Sequence, residues 1–203
     1  MTVKDIYDYL NSIAPFDTAE EWDNCGLNVG SFDKDVKKIY IALDVTNDVL
    51  EAAKFFGADL VITHHPMLFN PVSQILCDSI VYKAVASGMS FIASHTCLDK
   101  AEGGVNHCLA NKVGIKNLKT SENDEFLKFG EIEPCTAEEF AKIIKSALGG
   151  AVSFTDAGIN HIDEILHKHN LITGSVVDEE NFEYAHYFTQ ALRAHLLFHN
   201  DVD

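Results

Sequence analysis

Two adjacent histidines, His64 and His65, stand directly behind the apolar run Leu60-Val61-Ile62, in the segment Thr63-His64-His65-Pro66. The run is rich in β-branched residues and follows Gly57-Ala58-Asp59, the pattern of a buried strand entered from a turn. Open α/β sheets place their ligands at the carboxyl ends of such strands. Pro66 lacks a backbone donor and stops strand pairing there, which frees both histidines from the sheet. Neighbouring strand residues face opposite ways, so the two imidazoles share an ion only if the chain turns at the strand end; otherwise each serves a different ion. A second cluster follows the run Ser90-Phe91-Ile92-Ala93. There His95 and Asp99 lie in Ser94-His95-Thr96-Cys97-Leu98-Asp99 and are read as projecting from a second strand end. Asp99 also admits a helix-capping or loop role. Imidazole and carboxylate at two successive strand ends make a mixed nitrogen and oxygen set that suits zinc, manganese, iron, cobalt or nickel.

The elements that must position these residues are legible from their punctuation. Thr2 can cap a first helix whose apolar face is Val3, Ile6, Tyr7, Leu10 and Ile13, with Pro15 after its end. Trp22-Asp23-Asn24 falls in the following loop. Residues 38–44 form a strand, and Thr46 caps a helix from Asn47 to Phe56 that Gly57 stops. The histidine strand comes next, then a helix around residues 79–85, then the strand ending at Ala93. This βαβ rhythm predicts parallel pairing with right-handed crossovers. Asp44, at the end of its strand, is read as a helix-start turn residue, with a third carboxylate ligand as the weaker alternative. Gly103-Gly104 opens a helix over residues 106–112, which Gly114 stops. Residues 119–125 are polar and read as a boundary. Beyond them, residues 126–130 alternate as a strand, and Thr136 with Glu139 forms a capping box opening a helix to Leu148. Residues 151–154 are strand-like. His195 and His199 share i,i+4 spacing, but Leu192, Leu196 and Leu197 mark that tail as a packing helix instead.

The chain has 203 residues, 47% of them apolar, and a net charge of −16 from 31 acids against 15 bases. That balance argues against a nucleic-acid-binding surface, which needs clustered Lys and Arg. It leaves room for a buried site that takes an anionic substrate through metal ions. Five cysteines without C-x-x-C spacing fit reduced thiols packed as small hydrophobes, with Cys97 a bystander between His95 and Asp99. Lys4, Asp5, Asp8 and Asn11 interrupt residues 1–15, which do not read as a secretory leader, and no apolar run has bilayer-spanning length. The expected setting is cytoplasmic.

Three segments resemble the GTP cyclohydrolase 1 type 2 family, also called the NIF-three-like proteins. They are Glu21-Trp22-Asp23-Asn24-Cys25-Gly26-Leu27, Thr63-His64-His65-Pro66, and Ser94-His95-Thr96-Cys97-Leu98-Asp99 with Gly103-Gly104-Val105-Asn106. They stand in the family's order over about the first 110 residues. Farther on, Leu171-Ile172-Thr173-Gly174 and Ala185-His186-Tyr187-Phe188-Thr189-Gln190 resemble two later family segments. The resemblance implies a NIF-three-like α/β fold of two small units with mixed or parallel sheets and a metal site between them. Residues 1–120 would be the first unit, 121–182 a shortened second, and 183–203 a segment returning to the metal. It further implies a two-metal site of His64, His65, Asp99, His186 and the residue at position 190. The family carries glutamate there and this chain has Gln190, whose amide oxygen is neutral. His95 falls beside the ligands and is the candidate for proton transfer, since imidazole titrates near neutrality. The implied activity is water activation by two divalent ions on a small molecule, with GTP as the nucleotide in the family name, in a homo-oligomer, a hexamer built as a trimer of dimers. A metal-binding scaffold or regulatory protein without turnover is the competing expectation. A phosphatase or nuclease comes third, because it would need a basic funnel.

Overall fold

The computed structural model describes residues 1–149. Within them the chain divides into two compact units, Met1–Glu102 and a second that begins at Gly103. The metal-site candidates His64, His65, His95 and Asp99 all belong to the first.

That unit is built on a four-stranded sheet of β1 (Gly26–Val29), β2 (Ile39–Ala42), β3 (Leu60–Thr63) and β4 (Ser90–Ala93), in the order β1-β4-β3-β2. β2, β3 and β4 run parallel, as the βαβ rhythm predicts, and β1 lies antiparallel on β4 with Gly26 opposite Ala93. Side chains alternate across the central strands. Leu60 and Ile92 pack on one face with Val3 and Ile6 of α1 (Val3–Ile13). Val61 and Phe91 pack on the other with Leu50 and Ala53 of α2 (Asn47–Phe56) and Ala84 of α3 (Ile80–Ala86). Covered on both sides, β3 and β4 read as continuous apolar runs. Burying one such Leu or Phe contributes about 1.5–3 kcal/mol.

The helix ends follow their sequence signals. Thr2 and Asp5 close a reciprocal capping box at α1, whose stripe at positions 3, 6, 7 and 10 faces the sheet. The Thr46 hydroxyl accepts the Val49 N–H at 3.2 Å to start α2. Gly57, at φ 73°, ends α2 in the left-handed conformation that residues with a Cβ resist.

One expectation fails beyond β4. Asp99 does not sit on a strand end, because the chain winds into a short helix, α4 (Thr96–Lys100). His95, at φ −104° and ψ −109°, breaks the extended backbone, and the His95 carbonyl accepts the N–H groups of Leu98 and Asp99 at 2.9 and 3.1 Å. The first turn is anchored from far along the chain: the Asp23 carboxylate accepts both the N–H and the hydroxyl of Thr96. This satisfies a donor that a helix start otherwise leaves free.

In the second unit, α5 (Val105–Lys112), the antiparallel pair β5 (Lys116–Thr120) and β6 (Lys128–Glu131), and α6 (Ala137–Leu148) follow in order. Ala110, Val113, Ile115, Phe140 and Ile144 form its core. The capping box of Thr136 and Glu139 opens α6. β5 runs into the polar stretch 119–125, which carries the turn between the two strands. The strand-like stretch 151–154, the motifs with His186 and Gln190, and the tail with His195 and His199 lie outside the described residues.

Candidate metal centre

The chain does turn at the end of β3. The Thr63 hydroxyl donates to the His65 carbonyl at 2.8 Å, and the His65 N–H reaches back to the Leu43 carbonyl at 3.0 Å. This bend brings the two imidazoles onto one side, with ring centres 4.9 Å apart. The adjacent strand delivers the third ring. The Ser94 N–H bonds the Thr63 carbonyl at 2.9 Å, extending the β3–β4 ladder by one residue, and His95 follows immediately. Its ring centre lies 5.0 Å from His64 and 5.3 Å from His65. One ring nitrogen from each histidine lies within 4.8 Å of the others.

One nitrogen of each ring, Nδ1, has an oxygen partner. His64 Nδ1 lies 3.0 Å from the Ser94 carbonyl, which can only accept, so Nδ1 carries the proton there. His65 Nδ1 lies 2.6 Å from an Asp44 carboxylate oxygen, and His95 Nδ1 lies 3.0 Å from one of Asp23. In the neutral form of each ring, donation from Nδ1 leaves Nε2 with a free lone pair. Oxygen acceptors of this kind fix the tautomer and orientation of metal-ligating histidines.

Asp99 completes the group from α4. Its Oδ1 lies 3.5 Å from His64 Nε2, beyond hydrogen-bond length. Two acceptors facing each other at that distance are an unfavourable pair by themselves. The distance matches two ligand atoms on one ion, which stand about 3.4 Å apart when each is about 2.1 Å from a tetrahedral centre. On donor chemistry and spacing, the residues present fit a divalent ion.

The electrostatics agree. Burial, followed by the positive charge its neighbours His95 and His65 would carry, pushes the His64 pKa down to about 4, so this ring is neutral as a ligand must be. Burial raises the Asp99 carboxyl to about 6, outweighing the opposing effect of positive charge on His95 and His65. Asp23 behaves oppositely. Burial alone would raise it, but hydrogen bonds from Thr96, then His95 and Cys25, outweigh that and hold it well below the usual carboxylate range.

His64, His65 and Asp99 thus come together as their pattern suggests, and His95 joins them as a ligand-type group with its ring facing the other two. Asp44 lies in the bend ahead of α2, as its reading as a turn residue has it, and its carboxylate also bonds the His65 ring, a contact the sequence does not mark. Asp23 carries no role in the sequence reading, although it lies in the Trp22-Asp23-Asn24 segment. Its partners, His95 and Thr96, are more than 70 residues away, and no local pattern marks that pairing. Asp44→Ala is expected to weaken divalent metal binding about 10- to 100-fold by freeing the His65 ring. Mn²⁺ titration of the folded variant measures this, and an unchanged affinity would remove Asp44 from the site.

The family profile described as Duf34/NIF3 (NGG1p interacting factor 3) matches residues 1–181. A protein of Clostridium perfringens (strain 13 / Type A) named GTP cyclohydrolase 1 type 2 homolog is 33% identical over 189 residues, 88% of this chain and 71% of that protein. Among solved structures, reduced HcgD from Methanocaldococcus jannaschii superposes with a TM-score of 0.67 at 32% identity, over 76% of this chain and 63% of that one. Staphylococcus aureus protein SA1388 does so with a TM-score of 0.57 at 36% identity, over 59% of this chain. The match spans 35% of the length of the staphylococcal protein.

Proposed function

The chain belongs to the Duf34/NIF3 family, and from that premise we propose that it holds divalent metal at His64, His65, His95 and Asp99 and hydrolyses a small, nucleotide-sized substrate. The observation that carries this reading is the shared arrangement of the three imidazoles: each Nδ1 is tied to an oxygen, and one nitrogen from each ring lies within 4.8 Å of the others. When bound, divalent ions bring a water's pKa toward neutrality and polarise a substrate oxygen. The chain's own residues do the rest. Ser94, Asp44 and Asp23 hold the rings in one tautomer, and Asp99 contributes negative charge. The packed residues behind His95, which is 3% exposed, keep bulk water from that side. His186 and Gln190 are the proposed further ligands, for a second ion. His95, which the family resemblance places beside the ligands as a proton carrier, is assigned here to the metal instead, because one of its ring nitrogens lies within 4.8 Å of one from each of His64 and His65.

The substrate class is a small molecule, with a nucleotide suggested by the name that the Clostridium perfringens relative carries. A homo-oligomer, a hexamer in the fullest form of the proposal, and a cytoplasmic setting belong to the same reading. Among the described residues no helix is long and apolar enough to cross a membrane. Gln190 favours a second reading, a metal-binding scaffold or regulatory protein without turnover, because a neutral amide cannot bridge two ions as a carboxylate does. Turnover of GTP and other nucleotides, followed by chromatography with and without added Mn²⁺ or Zn²⁺, separates the two. Metal-dependent product formation that Asp99→Asn abolishes is the expected result. A metal-loaded protein inert across the panel would overturn hydrolysis and favour the scaffold.

A further inference from the structure

Behind the imidazoles, two thiols from distant parts of the chain meet. Cys25 sits in the turn before β1 and Cys97 is the second residue of α4, and their Sγ atoms are 3.4 Å apart. The antiparallel pairing of Gly26 with Ala93 sets both backbones, so the approach is part of the sheet's register. A disulfide needs the sulfurs about 2.05 Å apart, a closure of little more than an ångström. We propose that Cys25 and Cys97 are a dithiol that a hydroperoxide converts to a disulfide, and that this crosslink loosens metal held at His95. The first half stands on the sulfur geometry alone; the second rests on the metal reading above.

Exposure orders the chemistry. Cys97 is fully buried whereas Cys25 is only half-buried, so the peroxide reaches Cys25 first, which sheds to solvent the proton it shares with Asp23 before attacking. The Cys25 sulfur attacks the peroxide O–O bond, forming an S–O bond and releasing the alcohol, or water when the oxidant is hydrogen peroxide. The Cys97 sulfur then displaces the hydroxyl from the Cys25 sulfenic acid, forming the S–S bond and releasing water. Two thiols and one hydroperoxide give one disulfide, one alcohol and one water. The sulfurs lose two electrons, the peroxide oxygens gain them, and both thiol hydrogens leave in the products.

The connection to the site is a chain of hydrogen bonds. Cys97 Sγ donates to Cys25 Sγ, and Cys25 Sγ donates to Asp23 Oδ2 at 3.2 Å. Cys25 Sγ also accepts the His95 N–H at 3.3 Å, while Asp23 Oδ1 accepts from the His95 ring. Oxidation removes the S–H that Asp23 accepts and draws the Cys25 sulfur toward Cys97, away from the His95 backbone. The ring position of His95 depends on both contacts. Losing such support around a metal ligand typically lowers metal affinity about 10- to 100-fold.

The test uses the full chain with the exposed Cys77, Cys108 and Cys135 replaced by serine, reduced, freed of metal with chelator and then treated with hydrogen peroxide. The expected product is about 2 Da lighter, yields a peptide joining Cys25 to Cys97, and returns to the starting mass with dithiothreitol. Its Mn²⁺ dissociation constant rises about tenfold or more on oxidation and recovers on reduction. Cys97→Ser should form no crosslink and instead trap Cys25 as a dimedone-reactive sulfenic acid. Oxidation of Cys25 to sulfinic acid without a crosslink, or no reaction at all, overturns the dithiol. A crosslinked protein with unchanged Mn²⁺ affinity overturns the coupling. Reduced protein that binds no Mn²⁺ overturns the metal reading and the coupling with it, while the mass still decides the crosslink.

Discussion

His95→Ala is expected to reduce divalent metal bound by the purified protein to near zero under conditions that load the wild type, with a loss of affinity of about a hundredfold or more. The size of the effect follows from the small number of groups involved. Among the described residues, three imidazoles form the candidate ligand cluster, and Asp99 adds one carboxylate beside His64. His95 is the most buried of the three rings and faces both others, at 5.0 and 5.3 Å between ring centres. Alanine there removes a ligand nitrogen and leaves an open space that a water can fill but that cannot replace imidazole as a donor. His107→Ala, a histidine in α5 of the second unit, is the matched control and should leave metal content unchanged. Elemental analysis and Mn²⁺ titration of both variants, with circular dichroism to establish folding, give the answer. Equal metal in wild type and a folded His95→Ala protein would mean that the imidazole cluster is not a metal site.

Asp23→Ala is expected to destabilise the first unit by about 3–5 kcal/mol, the range found when one partner of a buried ionic group is removed. The Asp23 side chain is 0% exposed and accepts from the N–H and hydroxyl of Thr96, the His95 ring and the Cys25 thiol. Each buried donor left without a partner costs about 1–3 kcal/mol. The same carboxylate anchors the start of α4, so its loss also frees the helix that presents Asp99. The melting temperature should fall by roughly 10–20 °C, on the scale of several degrees per kcal/mol for a domain of this size. Asp23→Asn keeps the volume and one acceptor oxygen and should lose markedly less stability. Thermal denaturation of the two variants decides this; a melting temperature for Asp23→Ala within a degree or two of wild type would show that Asp23 does not organise the site.

The local rules written into this chain were sufficient for most of its elements, α4 and β5 excepted, and for the kind of residue gathered at the candidate site. Thr2 with Asp5, Thr46 with Gly57, and Thr136 with Glu139 mark helix ends because capping is settled within a few residues. Leu60-Val61-Ile62 and Ser90-Phe91-Ile92-Ala93 announce strands buried on both faces, and the histidines behind them announce candidate ligands at strand ends. Tertiary structure decided the rest. The winding of α4 beneath Asp99 depends on Asp23, whose carboxylate arrives from a loop more than 70 residues earlier. The tautomer of His65 depends on Asp44 at the end of the neighbouring parallel strand, and that of His95 on Asp23. The Cys25–Cys97 contact exists because β1 turns antiparallel against β4. Spacing along a helix or strand fixes neighbours within about four residues, whereas these partners are set by strand order and register. Those depend on which buried faces the whole chain must cover, so the sequence alone determined which residues could bind a metal, and only the fold decided which oxygens hold them in place.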